Sequence, residues 1–294
     1  MQGLIIENVS NLYKIKSDVD GKIYDATARG KFKQEGVTPL VGDLVDFDVL
    51  EDRNEIEAVI NEIYPRTTEL KRPKVANITQ IIFMISTKHP KPDLLMLDKQ
   101  LAYAEYLNIK PAIIINKTDL ADTYKHIVDI YTKVGYEVIA TNAKKKEGID
   151  KVKELLKGKI SAFSGNSGVG KSTTINAIFG TDVTLEGEIS HKNKKGKNTT
   201  TSVKLYEVDR NSYIVDTPGF ANFELSEIES NQLENFFIDL KPYVQNCEFV
   251  GCTHIKEQNC GIKQALEQGK ITQERYENFC KIYLELKDKE ERKW

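Results

Sequence analysis

Read from the N-terminus, the chain changes its hydrophobic rhythm twice. Residues 1 to about 66 carry short apolar stretches broken by turn signals: Leu4-Ile5-Ile6, Asn11-Leu12-Tyr13, Asp20-Gly21, Ala26-Thr27-Ala28-Arg29-Gly30 and Val41-Gly42-Asp43-Leu44-Val45. Strands this short at this spacing predict a small all-β barrel. From Ile78 apolar runs alternate with helix-like segments: Ile81 to Ile85, Asp93 to Leu107, Ala112 to Ile115, His126 to Val134 and Tyr136 to Ala140. That alternation predicts βαβ units on a parallel sheet. It continues with Ile160 to Phe163, a helix opened by Lys171-Ser172, and strands around Val203 to Val208 and Tyr213 to Val215. Beyond Leu225 the chain reads as helix, is interrupted by cysteines, and reads as helix again from about Ile262 to Trp294. The expected organisation is a barrel over 1–66, an α/β domain over 70–222 and a helical domain over 223–294.

Composition sharpens this picture at three points. A length of 294 residues exceeds what one core usually organises, and an apolar fraction of 40% allows several. Charged residues make up 29% yet nearly cancel, to a net charge of -2, so a nucleic-acid partner has to be met by a local patch. Arg29, Lys31 and Lys33 alternating with Phe32 are either such a patch or a solvated strand face. No apolar run is long enough to span a membrane, and Met1-Gln2-Gly3-Leu4 lacks the pattern of a signal peptide, so a cytosolic protein without a membrane partner is expected. Three of the four cysteines crowd into the fourteen residues from Cys247 to Cys260, which in a reducing compartment favours a metal over disulfides.

Gly165-Asn166-Ser167-Gly168-Val169-Gly170-Lys171-Ser172 fits G-x-x-x-x-G-K-[ST] between an expected strand and helix. Glycines let backbone N-H groups curl around a polyphosphate at a helix N-terminus, and Lys171 can reach the β- and γ-phosphates. Ser172 is placed to ligate magnesium, and the Thr173 N-H to meet the α-phosphate. Asn116-Lys117-Thr118-Asp119, at the end of an expected strand, reads as a guanine clamp. A carboxylate at Asp119 accepts from guanine N1-H and its exocyclic amine, whereas adenine would leave it unpaired at a cost of about 1–3 kcal/mol. Thr141-Asn142-Ala143 is the expected support for the guanine carbonyl. Asp216, opening Asp216-Thr217-Pro218-Gly219, is placed to hold magnesium through water, with the Gly219 N-H on the γ-phosphate. The polar loop Lys192 to Thr201 lies between, and Thr200 is the threonine expected to complete the magnesium shell.

Cys247, Cys252, His254 and Cys260 offer three thiolates and an imidazole, the donor set of a closed tetrahedral zinc site. A set with Cys280 replacing His254 would draw a ligand from the helix Gln273 to Leu286, where Cys280 falls among Tyr276, Phe279 and Tyr283 and a buried thiol is the better reading. Zinc is expected to supply the core of a region too small to make its own.

The order of these parts, guanine clamp, base-supporting loop, P-loop, threonine loop, then Asp-Thr-Pro-Gly, is a circular permutation of the usual one. With a barrel before it and the cysteine cluster after it, the whole chain closely resembles the bacterial ribosome small-subunit-dependent GTPase A family, also called YjeQ or YloQ. The resemblance implies an OB-fold, a permuted P-loop GTPase domain and a small zinc domain. It also implies GTP hydrolysis to GDP and phosphate that the small (30S) ribosomal subunit stimulates, a role in late maturation of that subunit, contact with 16S rRNA, one structural zinc ion, magnesium bound with GTP, and a monomer. Two positions are distinctive. Phe220 stands where many GTPases carry a water-orienting glutamine, an apolar choice that the family shares. Asn198, in Gly196-Lys197-Asn198-Thr199-Thr200, replaces the family's histidine, so the catalytic residue stays unassigned. Two other readings compete with this one: an ATP-dependent kinase or ATPase on the same P-loop, and a zinc-and-barrel nucleic-acid module with a non-hydrolysing nucleotide site.

Overall fold

A computed structural model of the chain describes residues 1–50, 56–71, 73–180, 203–216 and 225–292. The backbone divides into two units: Met1–Gln80 with Asp150–Phe163 and Thr174–Phe220, and Ile81–Ile149 with Ser164–Thr173 and Ala221–Trp294.

In the first unit, β1 (Gln2–Val9) pairs antiparallel with β2 (Leu12–Ser17) and with β4 (Leu44–Val49). β2 pairs with β3 (Ile23–Ala28), β4 with β5 (Ala58–Ile63), and β3 runs parallel to β5. The order β1-β2-β3-β5-β4 returns to β1, so the five strands close into an OB-like barrel. Alternation drives the closure: Tyr13, Ile15 and Ser17 of β2 point inward at every second position. Gly3 is required by close approach, because a Cβ there would sit 2.5 Å from the Lys16 carbonyl oxygen. Below the barrel, the buried Asp43 carboxylate accepts both Nε-H and Nη2-H of Arg66, each at 2.8 Å, and the Leu40 N-H at 2.7 Å. β6 (Glu69–Lys71) and β7 (Lys74–Ala76) then form a hairpin.

One expectation changes here. Arg29 to Lys33 does not form a strand face: Gly30–Gln34 is a short helix, α1, with Phe32 buried and Arg29 and Lys31 exposed. Three alternating residues fit one helical turn as well as a strand, and burial of the phenyl ring decides between them. The unit is completed by α4 (Ile149–Leu156), not among the expected elements although Ile149, Val152, Leu155 and Leu156 recur at helical spacing, β11 (Ile160–Ser164) and most of α5 (Lys171–Phe179), and by β12 (Lys204–Asp209) and β13 (Ser212–Asp216). β11 runs parallel to β13, β13 is antiparallel to β12, and β12 joins β1 through Glu7 and Lys204.

In the second unit, β8 (Gln80–Ser86), β9 (Lys110–Asn116) and β10 (Glu137–Ala140) are neighbours, with β9 and β10 parallel. Every residue of β8 is buried, the mark of a strand covered on both faces. α2 (Leu94–Tyr106) starts where Asp93 accepts from the Met96 N-H at 2.9 Å, and α3 (Tyr124–Val134) stops at Gly135 in the left-handed region, φ 107°. The expected α/β rhythm therefore holds.

The C-terminal part is less regular than expected. Residues 225–227 and 230–236 are 3-10 turns, followed by the short α6 (Lys241–Val244), α7 (Gly261–Glu267) and α8 (Gln273–Glu291). The single helix expected from Ile262 onward breaks at Gly269, φ 66°, and restarts after Thr272, whose extended backbone sits at the N-cap position. The break lets both segments bury apolar faces: Ile262 and Ala265 from α7 pack with Phe279, Ile282 and Leu286 from α8, along with Leu233, Phe237 and Leu240.

Candidate functional site

β9 delivers the first site residue. Asn116 is 2% exposed and its amide joins three loops. Its Oδ1 accepts the Ala143 N-H at 3.1 Å and the Thr141 hydroxyl at 3.2 Å, and its Nδ2 donates to the Val169 carbonyl at 3.0 Å. One side chain thus ties the strand end to the loop Thr141-Asn142-Ala143 and to the P-loop. The backbone of Lys117 enters the left-handed region, φ 62°, and its Nζ donates to the Gly168 carbonyl at 2.6 Å and also to the His89 carbonyl. Thr118 donates both its N-H and its hydroxyl to the Thr141 carbonyl, each at 3.2 Å. Asn142 caps the turn Ala143–Lys145 by accepting the Lys145 N-H. Of the four residues Asn116 to Asp119, Asp119 is the exposed one. A carboxylate left outward on a loop this tightly tied is placed to meet a ligand.

Chain geometry makes the P-loop glycines necessary. At Gly165 a Cβ would lie 2.4 Å from the Met84 carbonyl oxygen, and at Gly170, φ 101°, 2.2 Å from the Asn116 amide nitrogen. Any side chain at Gly170 would unseat the residue that links the loops. Asn166 accepts the Val169 N-H with its carbonyl at 3.3 Å, Ser167 is exposed, and Lys171 donates Nζ-H to the Gly165 carbonyl at 2.7 Å. Ser172 and Thr173 fall in the first turn of α5, where peptide dipoles favour anions. Asp216 is the last residue of β13. Thr200 and Gly219 lie outside the described residues, as do Asn198 and Phe220. Sequence reasoning missed the segment Lys88 to Asp93. It follows β8, ties to the site through the Lys117–His89 bond, and brings Pro90 Cδ to 3.7 Å from the position a Cβ would take at Gly168. No motif marks it, because only the neighbouring strand end gives it a role.

The four expected zinc ligands converge. Their ligand atoms all lie within 4.8 Å of one another, with three of the residues buried. Cys247 Sγ is 3.9 Å from Cys260 Sγ, and His254 Nδ1 is 3.5 and 3.3 Å from those two sulfurs. A zinc tetrahedron with Zn–S near 2.3 Å and Zn–N near 2.05 Å has edges of about 3.5 to 3.8 Å, so the cluster fits zinc. Burial pushes the Cys252 thiol up to about 12 and raises Cys260 as well, and a bound dication would act in the opposite direction, favouring the thiolates. A residue outside the expected set completes the centre: Glu234 Oε2 lies 2.5 Å from His254 Nε2, which fixes Nδ1 as the face turned to the sulfurs. The Gly261 N-H donates to Cys247 Sγ at 3.3 Å, and the Tyr276 hydroxyl to the His254 carbonyl at 2.7 Å. Cys280 stays outside the cluster, half-buried, its thiol raised by burial.

A second polar centre had no sequence signal. Arg275 of α8 is 1% exposed and donates Nη1-H to Asp98 of α2 at 2.6 Å, and Nε-H and Nη2-H to Asp239 at 3.0 and 2.5 Å. Asp98 also accepts the Tyr131 hydroxyl of α3 at 2.8 Å and the Asn278 amide at 2.7 Å. Burial alone would lower the Arg275 pKa, yet the two carboxylates hold it well above its ordinary value.

Family models described as RsgA GTPase and RsgA N-terminal domain match residues 63–226 and 2–59. A protein of Ruminiclostridium cellulolyticum named small ribosomal subunit biogenesis GTPase RsgA is 40% identical over 287 residues, 97% of this chain and 94% of that one. Its namesake from Clostridium botulinum is 38% identical over 296 residues, 100% of both chains. The crystal structure of YjeQ from Thermotoga maritima superposes with a TM-score of 0.83 at 34% identity, covering 97% of this chain and 98% of that one. That of YloQ, described as a circularly permuted GTPase, gives 0.82 at 30% identity, covering 98% and 95%.

Proposed function

We infer the function from one premise, that this chain belongs to the RsgA GTPase family, and read it as an enzyme that hydrolyses GTP in the biogenesis of the small ribosomal subunit. The observation that carries the reading is the Asn116 amide, which ties the base-reading loop, the base-supporting loop and the P-loop together on the second unit. Preorganised loops of this kind hold a nucleotide without rearranging. In our reading Asp119 accepts from guanine, Asn142 and Ala143 support its carbonyl, and Gly165 to Thr173 bind the phosphates. Ser172 and Thr200, with Asp216 acting through water, would hold magnesium, which would neutralise charge developing on the phosphates. Gly219 meets the γ-phosphate. Zinc on Cys247, Cys252, His254 and Cys260 is structural, since all four positions of the tetrahedron are filled by the chain. We assign the barrel to 1–66, the GTPase domain to 70–222 and the zinc domain to 223–294. The protein is read as a cytoplasmic monomer that meets 16S rRNA on the subunit and no membrane. Among the described residues no helix is long and apolar enough to cross one.

Comparing phosphate release from GTP and from ATP, with and without purified small subunits, tests this directly. GTP turnover should be slow alone and rise with subunits, since a partner that orders the reacting groups can contribute about 10³–10⁵-fold. Asp119→Asn should move preference toward xanthosine triphosphate, whose C2 carbonyl suits an amide donor. Equal hydrolysis of ATP and GTP, or a GTP rate indifferent to subunits at low salt, would defeat the reading.

A further inference from the structure

We propose that the rim of the guanine pocket is an RNA-docking surface, on which exposed lysines of two loops grip the phosphate backbone of the ribosomal RNA; this rests on the small-subunit reading above. Lys144, Lys145 and Lys146 are consecutive, exposed, and follow directly on the loop that supports the base. Lys88 and Lys91 are exposed on the loop after β8. Both loops are fixed to the same strand end, one through the Ala143 N-H on Asn116 and the other through Lys117 Nζ on the His89 carbonyl. None of the five lysines forms an ion pair with a described residue, whereas Lys125 of the same unit pairs with Asp122 at 3.1 Å.

Rigidity makes the rim more than a charged surface. Asn142 and Glu147 exchange both backbone hydrogen bonds at 3.1 Å, and Lys146 closes the turn in the left-handed region, φ 60°. At Gly148 a Cβ would lie 2.5 Å from the Ala140 carbonyl oxygen, so the turn is held at its exit as well. Lysines carried on a fixed turn lose less freedom on binding than lysines on a free loop. Chemistry selects the ligand. All five are ammonium groups, with no arginine fork among them to read a base edge, which suits sequence-independent contact with phosphate. With a net charge of -2 for the whole chain, the concentration of cations is local.

The test compares the wild type with the four-site variant Lys88→Ser, Lys91→Ser, Lys145→Ser, Lys146→Ser. Two probes are used, purified small subunits and a short RNA duplex, across a series of salt concentrations. Each phosphate that is no longer neutralised by a lysine lowers the slope of log affinity against log salt by about 0.7 to 0.9, so the slope should fall by about 3 and affinity near physiological salt by about ten- to a hundredfold. Because Lys88 and Lys91 lie on the segment that ties to the nucleotide site, a second variant with only Lys145→Ser and Lys146→Ser is the control: it should keep wild-type nucleotide affinity while showing about half of the slope change. Equal affinity and equal slope for variant and wild type on both probes would overturn the docking surface while leaving the small-subunit reading in place. A wild type that binds the duplex through these lysines but ignores small subunits would sink the small-subunit reading instead. If the wild type binds neither probe, both are wrong.

Discussion

The zinc centre and the ionic node at Arg275 both bury polar groups in the C-terminal part of the second unit, yet they are built from opposite kinds of chain. The zinc ligands fall between Cys247 and Cys260, in one loop. The node joins Asp98, Tyr131, Asp239, Arg275 and Asn278, and the Asn278–Asp98 bond alone spans 180 residues. Each solves the same problem, since a buried charge is tolerated only where every partner is in place. They differ in what holds them. Zinc supplies its own binding energy and gathers its ligands as the segment folds, whereas Arg275 finds its carboxylates only after three separate helical regions have packed.

The largest effect should follow from Cys252→Ala. Structural zinc in small domains binds with about 10–16 kcal/mol, so losing a ligand should release the metal and unfold the segment around residues 247–260. Elemental analysis should find no stoichiometric zinc, and hydrogen exchange should show reduced protection there while GTP affinity survives. Wild-type protein purified without chelator and lacking zinc would break the comparison at its first member.

Next comes Asp98→Asn, which leaves Arg275 buried with one carboxylate and should cost about 3–5 kcal/mol in urea unfolding. Zinc stoichiometry should stay at that of the wild type, separating the two centres. Loss of zinc in this variant would mean that the node, not the metal, organises the C-terminal core.

Glu234→Gln sharpens the zinc side. An amide in place of the carboxylate on His254 Nε2 should weaken metal affinity about 10- to 100-fold, read by competition with a chromogenic chelator. Unchanged affinity would reduce Glu234 to a bystander.

Tyr131→Phe should be mildest, removing one of the three donors on Asp98 for about 1 kcal/mol. A destabilisation as large as that of Asp98→Asn would show that the hydroxyl, rather than the ion pair, holds the node.

The same contrast runs through the rest of the molecule. The P-loop sequence, the Asn116 to Asp119 segment proposed to read guanine and the zinc ligands stood out in the sequence because the chemistry expected of them needs particular residues at short fixed spacings, and flanking apolar runs placed the first two at strand ends. The ranges expected from the apolar rhythm, Asp93 to Leu107 and His126 to Val134, lie close to α2 and α3, whose ends the structure sets at the Asp93 cap and at Gly135, since caps act within a turn. Arg29 to Lys33 misled, because a three-residue alternation does not separate a strand from one helical turn until Phe32 has a core to enter. The helix from Ile262 was read as continuous because its apolar positions kept a helical period on both sides of Gly269, and the break serves the packing of two segments on one core.

Residue identity and spacing alone thus determined the permuted order of the GTPase domain and the metal donor set, and pointed to the residues proposed for the nucleotide, since each depends on groups that meet within one loop or at one strand end. Tertiary structure decided that Asn116 reaches Val169, that Lys117 reaches the His89 carbonyl, that Glu234 orients His254, and that Arg275 has any partner. Such pairings join residues tens to hundreds of positions apart, and no local preference encodes them. They exist because burial in a packed interior leaves a polar group either satisfied by whatever the fold brings near or too costly to keep.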